Sequence, residues 1–197
     1  MHGTPCNPYD WLIFALWFSL VAYWGRSAAR IKRTTGRRWI WRREIAVRLG
    51  FFAFVLLALR VAVDTHALPN TPPYAFNTNR IAGLTGFVLC TLGVGLAILA
   101  RARLDQNRDM SLSRKENPGL VTTGPYALVR HPIFGGMLLA VLGSAIGQSI
   151  FWLLPLIAYG PHFILSARRE EQHLIEQFPE SYRAYMKRTR MLLPFVL

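Results

Sequence analysis

One uncharged run constrains the fold more than any other feature of the sequence. No Asp, Glu, Lys or Arg occurs between Pro132 and Ala167. A helix that crosses the hydrocarbon core of a bilayer needs about 20 residues, so this run has room for two short helices. A Gly-Gln-Ser step at 147–149 marks a turn near its middle. The run therefore predicts a helical hairpin, formed by residues 132–147 and 150–167.

Three earlier apolar segments complete a set of five. Residues 45–63 and 81–100 have the length of a membrane-spanning helix, although Arg48 and Arg60 interrupt the first of these segments. The segment 11–24 reaches that length only if its neighbours are included. The pattern predicts an all-α, polytopic membrane protein with about five transmembrane helices, a C-terminal helical hairpin and a cytoplasmic C-terminal helix.

The basic residues alternate between rich and poor connections. The connection 25–44 holds eight Lys and Arg residues, and 101–131 and the tail after Ala167 hold six each. The first ten residues hold none, and 64–80 holds only Arg80. Because connections rich in Lys and Arg stay in the cytoplasm, the N-terminus is expected outside and the C-terminus inside. The alternation also accounts for nearly all of the net charge of +13, so nucleic acid is not an expected partner.

The cysteines and the N-terminus indicate whether a disulfide, a metal site or a cleaved signal peptide is expected. Cys6 would lie outside and Cys90 within the third apolar segment, so a disulfide between them is not expected. No Cys-x-x-Cys pair or Cys/His spacing in the sequence indicates a metal site. The N-terminus lacks a basic region and a small-residue cleavage site, so the first apolar segment is expected to remain as a helix.

Charged residues flank the two ends of the predicted hairpin, which would lie at the same membrane face. Arg130 and His131 precede the hairpin, and Glu170 and Glu171 follow it. This order opposes the helix dipole, which favours acidic residues where a helix begins and basic residues where it ends. A bound ligand, or an ion pair between the two groups, would remove the conflict.

Two further patterns belong to the hairpin and the tail. The tail is predicted to be helical to about Gln177 and to restart at Pro179, because proline is tolerated in a first helical turn. Small residues recur at intervals of three or four in the first helix of the hairpin, and they predict a packing seam more than a functional role. These small residues are Gly136, Ala140, Ser144 and Gly147.

Two stretches carry a resemblance to a known family. The stretch GLVTTGPYALVRHPIFGG closely resembles a signature of the isoprenylcysteine carboxyl methyltransferase and phospholipid methyltransferase superfamily, which reads roughly G-P-Y-x-x-x-R-H-P-x-Y-x-G. The tail EEQHLIEQFPESYRAYMKRTRMLLPF resembles the family's second signature, E-E-x-x-L-x-x-x-F-G-x-x-Y-x-x-Y. The resemblance implies an integral membrane enzyme that binds S-adenosylmethionine at the cytoplasmic face. The resemblance covers about Leu92 to Phe195, so residues 101–197 are expected to form the cofactor-binding catalytic region, whereas hydropathy assigns residues 1–100 to the first three transmembrane helices.

The resemblance also implies which residues form the site. Arg130, His131 and Glu171 would be catalytic. The residues that would bind the cofactor are Tyr126, Arg130, His131, Pro132 and Gly136 on one side, and Glu170, Glu171, Tyr182 and Tyr185 on the other. Three departures stand out, since Phe134 and Pro179 replace the family's usual Tyr and Gly, and Thr189-Arg190 replaces a common Val-Pro. No G-x-G-x-x-G motif follows a strand, which excludes the usual soluble methyltransferase fold.

The methyl acceptor is expected to be a lipophilic membrane substrate, in contact with membrane lipids. The excess of Arg at this face favours an anionic acceptor, the carboxylate of a prenylated cysteine, which would need a cation such as Arg130, Arg101 or Arg168 to hold it. For Arg168 and its neighbour Arg169, snorkelling or contact with lipid phosphates is the favoured interpretation. The alternative acceptor is a phospholipid amine, which would need His131 or a Glu as a base. An NADPH-dependent sterol-type reductase and a non-enzymatic membrane scaffold are the remaining alternatives.

Overall fold

The structure, a computed structural model, describes residues 8–34, 79–114 and 119–192. These residues form five α-helices and contain no strand beyond one isolated bridge. The helices are α1 (Pro8–Thr34), α2 (Arg80–Arg114), α3 (Pro132–Gly147), α4 (Leu153–Gln177) and α5 (Pro179–Arg188), with 3-10 turns at Gly124–Ala127 and Ile150–Trp152. The all-α prediction is confirmed for this part of the chain. The predicted segment 45–63 lies outside the described residues.

Helix α2 is the described helix that is long and apolar enough to cross a membrane. The candidate membrane-spanning portion of this helix covers Arg80–Asn107. Helix α3 is apolar but shorter, with 16 residues. The predicted number of transmembrane helices and their orientation across the bilayer stay predictions.

Helix α2 extends beyond the apolar segment from which it was predicted. That segment ended at Ala100, but the helix continues to Arg114, so the first part of the predicted cytoplasmic loop is helical. The extension contains good helix formers, and Arg101 forms an ion pair with Asp105 one turn later, at 3.3 Å. Hydropathy shows where the apolar face ends, whereas the helix itself ends later.

The break between α4 and α5 follows the prediction. Helix α4 ends at Gln177 and α5 begins at Pro179. Because proline has no N–H to donate to the preceding turn, it starts a helix more readily than it continues one. The chain turns at Phe178, and this turn lets α5 lie beside the C-terminal part of α4, where Tyr182 and Glu171 are both buried.

The described residues divide into two compact units. The first falls within Met1–Thr91 and Ala140–Tyr159, and the second within Leu92–Leu139 and Gly160–Leu197. The predicted division at residue 100 concerned function, and it stays a prediction.

The first unit is held together by close helix contacts and by buried polar pairs. A Cβ atom on Gly86 of α2 would overlap the Cα of Gly147, so this close approach requires glycine at residue 86. The indole of Trp17 donates a hydrogen bond to Ser144 Oγ at 3.0 Å, and it stacks on Trp152 with centroids 5.3 Å apart. The small-residue seam predicted along α3 is confirmed here as a packing surface.

The second unit contains both ends of the hairpin and the residues that follow α5. We call residues 189–192 the tail strap. The strap pairs in parallel with the segment before α3, because the N–H groups of Arg130 and His131 donate to the carbonyls of Arg190 and Met191 at 2.8 and 3.0 Å. The strap therefore lies directly against the Arg-His-Pro step.

Candidate functional site

A tight turn places Arg130 and His131 at the start of α3. Gly124 has a φ of 65°, in the left-handed region that favours glycine, and Pro125 follows in the first 3-10 turn. The carbonyl of Pro125 accepts hydrogen bonds from the N–H groups of Leu128 and Val129, at 3.3 and 3.4 Å. The chain therefore makes a hydrogen-bonded turn just before the Arg-His-Pro step.

The guanidinium of Arg130 makes three hydrogen bonds within the chain. Its Nε donates to Glu171 Oε1 at 2.5 Å, and its Nη1 donates to the carbonyls of Thr189 and Met186 at 2.6 and 3.4 Å. The side chains of Arg130 and Glu171 are only 11% and 10% exposed. The order of charges around the hairpin opposes the helix dipoles, and it indicated either a bound ligand or an ion pair. The structure contains the ion pair, between Arg130 and Glu171.

His131 lies between the two consecutive carboxylates. Its ring is buried, with Nε2 3.4 Å from Glu171 Oε1 and Nδ1 3.7 Å from Glu170 Oε2. Within the described part of the chain, Nε2 has no partner in hydrogen-bond geometry. The Glu170 side chain is 60% exposed, so one carboxylate is buried in the site and the other faces outward.

The partners of Glu171 keep its carboxylate ionised. Burial alone would raise the pKa of this carboxyl, but the contacts and charges of His131 and Arg130 outweigh burial and hold the pKa below its usual value. Glu171 is therefore an anion at neutral pH, and the pair with Arg130 is a true ion pair.

Because the pKa of Glu171 is lowered in the folded protein, we expect the folded state to lose stability at acid pH. The stabilisation is complete above the ordinary carboxyl pKa, about 4.3 for Glu in an unfolded chain, and is lost as the pH falls through the lower pKa of the folded state. We expect the melting temperature of the detergent-solubilised protein to fall below about pH 4. The fall should be smaller in Glu171→Gln, which lacks the titrating group. Equal acid dependence in both proteins would contradict the assignment.

Two buried tyrosines of α5, Tyr182 and Tyr185, belong to the same cluster as Arg130. The Tyr185 hydroxyl donates a hydrogen bond to the carbonyl of Tyr126 at 2.6 Å, and the rings of Tyr182 and Tyr185 meet edge to face. Burial raises the pKa of Tyr185 to about 12 and also raises the pKa of Tyr182. Both hydroxyls are therefore neutral and can donate hydrogen bonds, but neither is a base at neutral pH.

The structure brings together most of the residues that the sequence assigned to the site. The clustered residues are Tyr126, Arg130, His131, Glu170, Glu171, Tyr182 and Tyr185. Pro132 is buried as the first residue of α3. Their roles toward a cofactor stay predictions.

Three predicted residues have other surroundings. A Cβ on Gly136 would lie 2.6 Å from the Gly93 carbonyl oxygen, so this glycine packs against α2. Arg101 is paired with Asp105, and Arg168 is exposed at the C-terminal half of α4. Packing against α2 accounts for the glycine at residue 136. Among the candidate cations Arg130, Arg101 and Arg168, the exposed one is Arg168.

Sequence reasoning missed the carbonyl groups that the end of α5 and the tail strap supply. The carbonyls of Thr189 and Met186 bind Arg130, and the Leu192 carbonyl lies so close to Gly135 that a Cβ there would be 2.6 Å away. Carbonyl contacts leave no residue-type signal, since every residue has a carbonyl. Phe163, whose ring stacks on Phe134, was also missed, and nothing in the local sequence marks it.

The fold and the site define a helical protein that includes a helix of membrane-spanning length and a buried Arg–Glu–His cluster between the ends of a hairpin. The family model for phospholipid methyltransferases matches residues 81–181, about half of the chain, which include α2, α3 and α4. The chain therefore belongs to the phospholipid methyltransferase family.

Three relatives show the range of this similarity. The cobalt-zinc-cadmium resistance protein CzcN of Cupriavidus metallidurans is 34% identical over 52% of this chain and 46% of its own length. A methanethiol S-methyltransferase of a Pseudomonas species is 26% identical over 89% of this chain and 71% of its own. The protein-S-isoprenylcysteine O-methyltransferase of Schizosaccharomyces pombe is 31% identical over 62% and 52%, respectively. The chain thus spans about half the length of two of these relatives.

Proposed function

We propose that the chain is an integral membrane methyltransferase that uses S-adenosylmethionine and acts on a lipophilic acceptor. The observation that carries this proposal is the buried cluster of Arg130, His131 and Glu171, formed by both family signatures. Membership of the phospholipid methyltransferase family and the names of two relatives support the reaction class.

The polar groups of the site suit this cofactor. S-adenosylmethionine carries an ammonium, a carboxylate, a sulfonium and ribose hydroxyls. The exposed Glu170 carboxylate could accept hydrogen bonds from the ammonium or the ribose, and the buried His131 Nε2 lacks a hydrogen-bond partner among the described residues. No group of three or more His, Cys, Asp or Glu in the described ranges could hold a metal ion.

The chain's own residues would act by positioning and by fixed charge. When bound, the cofactor supplies a methyl group made electrophilic by its sulfonium. Glu171 places a permanent negative charge in a buried site, where it acts more strongly on a nearby cation than it would in water. Arg130 holds Glu171 and the tail strap together, so it serves as a positioning residue in this arrangement.

An exposed apolar stripe supports the membrane location. Large apolar side chains on α2 remain exposed at intervals of three, four, four and seven residues, which keeps them on one side of the helix. They are Ile81, Leu84, Val88, Leu92 and Leu99. Such a stripe suits contact with lipid chains. We place the site at the cytoplasmic face, because the connections nearest to it are rich in basic residues.

The first candidate acceptor is the carboxylate of an isoprenylcysteine-like lipid. A carboxylate is ionised at neutral pH and needs no base, but it does need a cation. Since Arg130 and Arg101 already pair with Glu171 and Asp105, the exposed Arg168 becomes the candidate for this contact.

A lipophilic thiol is the second candidate, because two relatives are named methanethiol S-methyltransferases. A thiol loses its proton with a pKa of about 8.5, so a base would help the reaction. His131 is the imidazole available in the cluster. A phospholipid amine, which the family's name favours, would make the same demand.

The decisive assay offers three acceptors to the purified full chain with methyl-labelled S-adenosylmethionine. The acceptors are a farnesylated cysteine analogue, a long-chain thiol and phosphatidylethanolamine. We expect label in a base-labile ester of the first, and a higher KM for that acceptor in Arg168→Ala. The neighbouring Arg169→Ala is the matched control. If only the thiol or only the amine were labelled, that compound would be the acceptor in place of the prenylated cysteine. NADPH oxidation without methyl transfer would refute the proposal that the chain is a methyltransferase.

A further inference from the structure

Three rings stack in series beside the buried carboxylate. The His131 imidazole lies 5.8 Å from the Phe134 ring with planes 16° apart, and Phe134 lies 5.2 Å from Phe163 with planes 10° apart. Two of these rings belong to the start of α3 and its preceding residue, and the third belongs to α4. The stack therefore links both helices of the hairpin to the imidazole.

The polar contacts of His131 do not fix its ring plane by themselves. The main chain is held by the hydrogen bond from His131 N–H to the Met191 carbonyl at 3.0 Å, which leaves the ring free to turn. The outer torsion of a histidine side chain is broad, so packing has to select one orientation. The ring nitrogens lie 3.4 and 3.7 Å from Glu171 and Glu170, distances too long to hold the ring firmly.

We propose that Phe134 and Phe163 are positioning residues that hold the imidazole plane of His131 so that Nε2 faces Glu171. The stack requires an aromatic ring at residue 134, but it does not need a hydroxyl on that ring. The role of this orientation in methyl transfer rests on the proposed function. The orientation itself does not.

The first test is spectroscopic and needs no substrate. His131 ring signals are recorded by NMR of isotope-labelled full-length protein in detergent, and they are assigned by their loss in His131→Asn. A stacked aromatic ring shifts the signals of its neighbour, so Phe134→Leu should move them directly. Phe163→Leu should move them indirectly, because it removes the ring that packs on the other face of Phe134. Phe134→Tyr should leave them in place. The matched control is Phe87→Leu, which removes a half-buried ring that packs on Tyr9 in the first unit.

The second test is kinetic. Aromatic pairs contribute about 0.5–1.5 kcal/mol beyond burial, so kcat should fall about two- to thirteenfold in Phe134→Leu. The acceptor KM should stay unchanged, and Phe134→Tyr should restore kcat. Phe163→Leu provides the same test if Phe134→Leu does not fold.

The outcomes separate this inference from the proposed function. Unmoved His131 signals in both leucine variants would overturn the inference, whether or not the protein is less stable. A change in acceptor KM with unmoved signals would also overturn it, because the rings would then contact the acceptor. If no acceptor is methylated at all, the proposed function fails, and the NMR result still decides the orientation.

Discussion

Glu171→Gln is expected to abolish methyl transfer and to destabilise the folded protein by about 3–5 kcal/mol. The substitution leaves the Arg130 guanidinium buried without its anion, although the carbonyls of Thr189 and Met186 remain. Removing one partner of a buried ion pair is costly because the other charge stays away from water. Thermal unfolding in detergent and transfer of labelled methyl groups measure the two effects.

Glu176→Gln is the matched control for this prediction. Glu176 lies on the same helix with its side chain 77% exposed, 3.7 Å from the exposed His173. Exposed pairs contribute little, so both stability and activity should stay close to those of the unchanged protein. Equal stability of the two variants would show that the buried pair does not hold the hairpin and the tail strap together.

Gly136→Ala is expected to destabilise the protein by about 1–3 kcal/mol through overpacking. The new Cβ would lie 2.6 Å from the Gly93 carbonyl oxygen and 2.9 Å from the Ala97 nitrogen. Both are backbone atoms of α2, so relief requires a shift of one helix. The melting temperature of the purified protein measures the effect.

Gly95→Ala separates packing from helix propensity. A Cβ on Gly95 would meet no atom of the described residues within 4 Å, so this change should be neutral or should stabilise α2 by up to about 1 kcal/mol. The pair of variants also bears on the predicted cofactor role of Gly136. If Gly136→Ala melted at the normal temperature but failed to bind S-adenosylmethionine, a cofactor contact would replace packing as the explanation.

The sequence predicted those parts of the fold that depend on hydropathy and on proline. The turn after Gly147 and the break between Gln177 and Pro179 are found where they were expected. The end of α2 was placed too early, because charged residues end an apolar face without ending a helix. The sequence therefore locates a helix boundary well only where a proline or a turn-forming residue lies at the point where the polarity changes.

The site was predictable where it depends on side-chain charge. The reversed order of Arg130 and Glu171 relative to the helix dipole indicated either a ligand or an ion pair, and the ion pair is present. The strap contacts were not predictable, because they pass through the carbonyls of residues whose side chains lie elsewhere. Phe163 is brought to Phe134 by the packing of α4 on α3, which no short motif encodes.

Calorimetric titration of S-adenosylmethionine into the full chain in detergent tests the central claim most directly. We predict saturable binding to the unchanged protein and to Arg183→Ala, which alters an exposed arginine of α5. We predict no binding to Arg130→Ala at a temperature where circular dichroism shows all three proteins to be helical. Unchanged affinity in Arg130→Ala, or binding of NADPH in place of S-adenosylmethionine, would contradict the account.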